Sequence, residues 1–507
     1  MVHSKSNLEE FCERLRHVPP PELEKESDEV LAEVFNIAKE QISDSTSGVP
    51  PVESLVILSR IRRLWQSRPD DEIFGILLER FFSGDDDNDT RLLIMKVLAN
   101  LPVINDTMTK GHFFSYAALF VDDVKERSIS CDIENFLFCR ILSLGSIISN
   151  NFVHAMVDCL DELCSWMVCA ASAEHSRSPY QVKVLKELSK VLFVIFCQKE
   201  VSSNESNFQK ILLPISSLFS IISQRFNDQS TQLVDNLVQL LERLPDKFLK
   251  DAFDLPRDPL APFETHYHKL DLFYEQFYRR VCGDTSFLAD KGELLPFLKV
   301  LCSLTSCSRH ARKRFQKLLK LEKRDYQKLP NDRNSFSGRL ISLFTDTDVD
   351  IKTLAAQLFM IISKNKVQRF IDITGYGNAA GLLYTNSALS GESAFTQLDY
   401  ASSDDEDYQR DIEIKSQANK LARNKGIENP EYNPTTGRIE PQKLDIFAGL
   451  SDEQKEWEAH QIANLFCRLG DSGLQPMGVD ADGKFKPMRE LAHEVNLPSE
   501  LTDSDSD

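Results

Sequence analysis

Apolar residues recur at intervals of three and four along most of this chain. SLVILSRIRRLW (Ser54 to Trp65) and RLLIMKVLANL (Arg91 to Leu101) show the pattern, which lays one apolar stripe along a helix. No long stretch alternates with the period of two that half-buried strands require. Breaks such as GVPPVE, SRPDDE, SGDDDND and DLPRDPLAP separate predicted helices of about 12 to 20 residues. KVLANLP (Lys96 to Pro102) and QLLERLP (Gln239 to Pro245) echo each other, each ending an amphipathic helix in Leu-Pro. A recurring helix pair cannot bury its own apolar face, so it stacks on the next pair. The expected architecture is an all-α solenoid over residues 1–385, with an irregular α-helical globule as the alternative that periodicity leaves open.

The pattern breaks after Leu383. YTNSALSGESAFTQLDYASSDDEDYQRD is rich in Ser, Asp and Gly, a composition that predicts a linker. ENPEYNPTTGRIEPQ follows as a run of turn formers, so residues 386–445 are expected to be an acidic linker. Residues 446–470 then predict one further helix. SDEQKEWEAHQIANLFCRLG opens with a capping box, Ser451 and Gln454. Ala459, Ile462, Leu465, Phe466 and Leu469 form one stripe, and Trp457 points away from it. Residues 471–507 end in SELTDSDSD and are expected to be an acidic, largely disordered tail.

Charge narrows the partners. Lys and Arg number 59 against 78 Asp and Glu, a formal charge of -19 on 507 residues. Such a chain repels nucleic acid and anionic lipid on average. The eleven cysteines are scattered; Cys159, Cys164 and Cys169 are spaced five apart, which fits no zinc pattern. They predict buried, reduced thiols. MVHSKSNLEEF lacks the apolar core of a signal peptide. The apolar run VLFVIFC (Val191 to Cys197) falls far short of the roughly 20 residues that span a bilayer. A cytoplasmic protein with no transmembrane segment is expected.

Chemical motifs are few. ITGYGNAAGLL (Ile373 to Leu383) places Gly375, Gly377 and Ala380 at the spacing of a dinucleotide cradle. Such a cradle needs a strand before it, so that a helix N-terminus meets the phosphates; the preceding segment here reads as a helix. A helix stop with Gly at positive φ fits better. DDDND (Asp85 to Asp89) and DTDVD (Asp346 to Asp350) lack the Gly and Glu of a calcium loop and read as acidic helix starts. RHARKRFQKLLKLEKRDYQK (Arg309 to Lys328) is the strongest basic run. Phe315, Leu318, Leu319 and Leu321 define its buried side, and its charges a solvated face that also suits acidic groups of a client. The close pair His266 and His268, without a nucleophile motif, predicts no catalysis. No cofactor or metal site is expected. SSDDEDY offers Ser402 and Ser403, each with an acid three residues on, to an acid-directed kinase of the casein kinase II type; a phosphate adds up to roughly two negative charges.

Taken in order, TDTDVDIKTLAAQLFMIISKNKVQRFIDITGYGNAAGLL, the acidic serine patch, NPTTGRIEP, GLSDEQKEWEAHQIANLFCRL and LQPMGVDADGKFKPM resemble the C-terminal half of synembryns, the resistance-to-inhibitors-of-cholinesterase family. RHARKRF also fits, and ILSR, LANL and KVLF carry a fainter match in the N-terminal half. The resemblance implies an armadillo/HEAT-like superhelix that acts as guanine nucleotide exchange factor and folding chaperone for Gα subunits of heterotrimeric G proteins. It implies that the concave groove takes the Gα C-terminal helix, that GDP leaves, and that the linker and the helix of residues 446–470 brace the nucleotide-free Gα until GTP binds. Arg60, Asn100 and Arg140 are then expected to line the groove. Val56 and Val194 stand where polar family residues are expected. Gly375, Tyr376, Gly377 and Asn378 would end the last repeat. Recruitment to the cell cortex or plasma membrane follows from such a partner. The competing expectation is an armadillo-type interaction scaffold without exchange activity.

Overall fold

The computed structural model describes residues 2–42, 49–67, 70–172, 178–224, 228–254, 264–283, 291–319, 326, 328–380, 405–425, 427, 430–433, 435–441, 451, 454–455, 457, 461, 477–479 and 485–487. They fall into two compact units, Met1–Phe273 and Tyr274–Asp507.

In the first unit every third helix belongs to one packed series. Its members are α1 (Val2–Leu15), α2 (Val49–Leu58), α3 (Asn88–Ile104), α4 (Ile133–Ile148), α5 (Gln181–Phe196) and α6 (Asp228–Glu242). Each packs against the next, which is the α-solenoid arrangement. The echoing Leu-Pro segments fall on α3 and at the end of α6, so they mark equivalent positions. They end differently, however: α3 continues past Pro102 to Ile104, whereas α6 has closed before Pro245. Pro102 is tolerated because it lies in the last turn, where few backbone bonds remain to be lost.

Helix starts follow side-chain chemistry. Asp87 accepts the Thr90 amide at 2.8 Å to open α3, and Asp132 accepts that of Asn135 at 2.8 Å to open α4. Asp348 accepts the amides of Asp350 and Ile351. The two acidic runs are therefore helix starts, and no group of His, Cys, Asp or Glu suited to a metal occurs among the described residues. Behind the series runs an aromatic core. Phe113, Phe120, Phe138 and Phe152 are all fully buried, with Phe120 packing edge-on to Phe152 at 5.3 Å. Gly145 sits where a Cβ would come within 2.8 Å of the Phe113 ring, so a larger residue would push α4 off that core.

In the second unit α7 (Lys291–Cys307) packs on α9 (Val349–Ile362) and on α8 (Arg309–Leu318). The helix α10 (Val367–Thr374) follows, and then α11 (Asp405–Asn424) and a hairpin of β1 (Pro430–Asn433) and β2 (Arg438–Pro441). The strands pair antiparallel, Tyr432 opposite Ile439, and α11 packs on them. A second short hairpin joins β3 (Met477–Val479) and β4 (Phe485–Pro487). Residues 386–445, expected to be a linker, thus carry a helix and a hairpin. The hairpin is held by contacts with distant residues, Tyr432 to Asp372 and Ile439 to Tyr326, rather than by a periodic apolar face.

Along the basic run, Phe315 and Leu319 are buried as expected and Leu318 is half-buried; Leu321 lies outside the described residues. The solvated-face expectation misses Arg312, which is buried and donates from Nη1 to the Thr305 carbonyl at 2.8 Å. The ten described cysteines are all free. Burial pushes the Cys12, Cys164 and Cys302 thiols up to about 12 and that of Cys159 to about 11, which leaves them protonated and inert at neutral pH. Among the described residues no helix is long and apolar enough to cross a membrane.

Candidate partner-binding face

Arg60 lies just past α2, Asn100 in the last turns of α3 and Arg140 midway along α4. Arg60 is exposed, with Nη1 at 3.5 Å from the Arg16 carbonyl. Asn100 Nδ2 donates to Ser59 Oγ at 3.1 Å, and Arg140 Nε to the Ala99 carbonyl at 3.4 Å. Both bonds join residues 41 apart. The ladder continues onto α5, where Glu187 Oε2 accepts from Ser143 Oγ at 2.5 Å, and onto α6, where Asn236 Nδ2 donates to the Lys186 carbonyl at 3.1 Å. Each rung ties one helix to its neighbour; Ser143 and Glu187 are buried in theirs.

Positions three, four and seven residues apart share a helix face. On α3 this adds Lys96 and Val103 to Asn100. On α4 it adds Phe136, Leu144 and Ile147 to Arg140. On α5 it brings Lys183, Lys186 and Lys190 into one row. Lys183 lies over the rings of Phe136 and Tyr180, at 5.6 and 5.0 Å, which ties this row to that of α4. Val103 and Ile147 are 49% and 59% exposed, unusual for large apolar groups and both one helical face with the cations.

Elsewhere in the unit, several basic side chains are paired with carboxylates. Arg16 grips Glu53, Arg80 grips Asp86, Arg127 bridges Asp123 and Glu134, and Lys210 meets Asp161. Arg60, Lys96, Arg140, Lys183 and Lys186 form no salt bridge with any described residue. Burial holds the Lys186 ammonium below the ordinary lysine range, and the charge of nearby Lys190 adds to this. A row of unneutralised cations with apolar groups between them suits an amphipathic helix that carries carboxylates. Val56 is buried in α2 and does not reach this face, whereas Val194 lies half-buried on α5.

The sequence did not single out Lys96, Lys183, Lys186, Ser143, Glu187, Val103 or Ile147. Their signal is the recurrence of equivalent positions at steps of about 40, legible only once α2 to α6 are known to be equivalent.

The glycine motif forms a second constellation, in the other unit. Gly375 closes α10 at φ 77 and ψ 140, and residues 376–380 resume a helical turn. A Cβ on Gly375 would stand 3.3 Å from the Thr436 backbone. The Gly377 amide donates to the Thr435 carbonyl at 3.0 Å, and Asn378 Nδ2 to the Thr374 carbonyl at 2.7 Å. Tyr376 follows the turn directly and is half-buried. Tyr432 Oη donates to the Asp372 carbonyl at 2.8 Å, and the Ile439 amide to that of Tyr326 at 2.8 Å. The glycines therefore let the β1–β2 hairpin approach; the Gly377 amide that a phosphate would need is already used.

The capping box takes its expected form: the Ser451 amide donates to Gln454 Oε1 at 3.0 Å, and the Gln454 amide to Ser451 Oγ at 3.3 Å. Trp457 is 61% exposed. Ser402, Ser403, Ile462, Leu465, Phe466 and Leu469 lie outside the described residues.

Comparison with known proteins gives a consistent result. The family described as guanine nucleotide exchange factor synembryn matches residues 52–484. Chaperone Ric-8A of Xenopus laevis is 29% identical over 335 residues, covering 64% of this chain and 57% of that protein. Chaperone Ric-8A of Danio rerio is 34% identical over 223 residues, covering 43% and 38%. The matched region thus spans less than two thirds of these relatives' length. A solved structure from work on a phosphorylation switch between cadherin and beta-catenin aligns with a TM-score of 0.47 at 11% identity, over 77% of this chain and 67% of that one. With 52–484 matched as one stretch, this chain is a member of the synembryn family.

Proposed function

We propose that this chain is a guanine nucleotide exchange factor and folding chaperone for Gα subunits, and that the open face of α2 to α5 holds the Gα C-terminal helix. The observation that carries this is the row of unneutralised cations, Arg60, Lys96, Arg140, Lys183 and Lys186, on a chain of net charge -19. A helix C-terminus bears a partial negative charge and, at a chain end, a free carboxylate. Arg60, Asn100 and Arg140 are fitted to bind it. Val103 and Ile147 are fitted to cover the helix's apolar side. Holding that helix away from the Gα domain favours the open, nucleotide-free state, a population shift that makes and breaks no covalent bond. The helix of residues 446–470 braces the opened client. An acid-directed kinase acting at Ser402 and Ser403 would add negative charge that suits the basic side chains of Lys313 and Lys317, both exposed on α8. The setting is the cytoplasm, with recruitment to the cell cortex where Gα resides.

The test is release of labelled GDP from purified inhibitory-class Gα. Acceleration is expected, lost when the last turns of the Gα C-terminal helix are removed. Arg140→Glu should reduce it roughly 100-fold, since it replaces attraction by like-charge repulsion. Tight binding to nucleotide-free Gα without faster release would leave a chaperone or scaffold.

A further inference from the structure

Glu187 is the exception on the open face. It is only 6% exposed, yet it is a carboxylate set in a row of cations. Ser143 Oγ donates to its Oε2 at 2.5 Å and Lys190 Nζ to its Oε1 at 2.9 Å. Both oxygens are therefore engaged, by a hydroxyl from α4 and an ammonium one turn further along α5. Lys183 and Lys186 share that row, but Lys183 rests on two rings and Lys186 donates to the neutral Gln232 Oε1 at 2.9 Å. Among the described residues, Lys190 alone of the three lysines forms a salt bridge with a carboxylate.

We propose that Glu187 sets the charge selectivity of the partner-binding face, by cancelling Lys190 and so keeping the α5 end of the face less basic than its sequence suggests. The proposal rests on the function given above. Its physical basis is simple. An anionic partner lying across α4 and α5 feels the attraction of Lys190 and the repulsion of Glu187 at nearly equal range, so the two offset. Ser143 holds the carboxylate in that position from the neighbouring helix. A buried carboxylate so held is costly to displace, since its hydroxyl and ammonium partners would lose their bonds together. Glu187 is thus a positioning residue: it acts on the partner through Lys190 and through its own fixed charge. The face discriminates in this way against partners that are acidic along their whole length, this chain's own acidic segments among them, in favour of a helix whose negative charge is gathered at one end.

The experiment uses the full chain and a fluorescent peptide of the inhibitory-class Gα C-terminal helix with its free carboxylate. Glu187→Gln keeps the size and an acceptor for Ser143. It should tighten binding by about three- to tenfold, as expected for removing one like charge at roughly 10 Å. The gain should vanish at high salt. Lys190→Gln, which leaves the Glu187 charge uncancelled, should weaken binding about three- to tenfold, and Lys186→Gln should weaken it to a similar extent. In Glu187→Gln/Lys190→Gln the affinity should return near that of the parent. A second peptide with glutamates along its length should gain more from Glu187→Gln than the first does. Weaker or unchanged binding by Glu187→Gln with an unaltered melting temperature would overturn the proposal. So would a Lys190→Gln variant that binds as tightly as the parent, which decides the matter even if Glu187→Gln fails to fold. A parent chain that does not bind the peptide at all would instead refute the proposed function.

Discussion

The open face of the first unit and the Gly375 turn of the second both join segments far apart in sequence, but by opposite means. On the face, bonds between side chains and the next helix recur at steps of about 40 residues, and no single rung decides the packing, because the buried apolar stripes of α2 to α6 already fix it. At the turn, one closure over 60 residues, from Asp372 to Tyr432, is made once. It relies on a backbone conformation that only glycine adopts easily. Repetition thus leaves side chains free to vary for binding, whereas a single closure leaves little freedom.

That contrast can be broken most strongly at Gly375. Gly375→Val would place a branched side chain at φ 77, with its Cβ against the Thr436 backbone. A conformation of this kind costs on the order of 1–3 kcal/mol before any clash. The expected outcome is loss of amide exchange protection across residues 430–441, with peptide binding by the first unit retained. Protection retained at those amides would show that the hairpin does not depend on the turn.

A smaller effect is expected from Tyr432→Phe, which removes the bond to the Asp372 carbonyl and keeps the ring against Tyr326. The loss should be about 1 kcal/mol, read as roughly fivefold faster exchange in the same amides. By contrast, loss of the Asn100 rung should leave exchange across α3 unchanged.

The smallest effect concerns pH. The Lys186 ammonium is held below the ordinary value of 10.5 by burial first and the charge of Lys190 second; Lys183 acts in the same direction, and Glu187 and Asp235 oppose them. The unfolded chain therefore binds the proton more tightly. The burial cost is present below the folded value and is relieved as pH rises toward 10.5. A bound carboxylate favours the charged form, so peptide affinity should fall as pH rises, and begin to fall earlier than for an ordinary lysine. In Lys186→Met this part of the pH dependence should be absent.

Helices and their caps were legible in the sequence because they depend on neighbours three and four residues away: Asp87, Asp348 and the Ser451–Gln454 pair all take their expected roles. Arg60, Asn100 and Arg140 were expected from a family resemblance; the structure puts Asn100 on α3, Arg140 on α4 and Arg60 just past α2. Lys183, Lys186 and Glu187 were invisible because a charge on a helix reads as solvated until the helix beside it is known. The hairpin was invisible for another reason. PEYN and RIEP are four residues each, too short to show alternation, and the turn between them is held by the Gly377 amide, which lies more than fifty residues earlier.

The helix series also measures length. Neighbouring packed helices lie about 8–10 Å apart, so the three steps from α2 to α5 cover roughly 27 Å. A client helix rising about 1.5 Å per residue needs some 18 residues to cross them. Each step then corresponds to about six client residues, so a shorter helix would leave the cations at one end unmet, and a one-residue insertion would turn its apolar side by about 100° away from Val103 and Ile147. On the function proposed above, the face would act as a ruler as well as a charge pattern, and a Gα helix would have to match it in both.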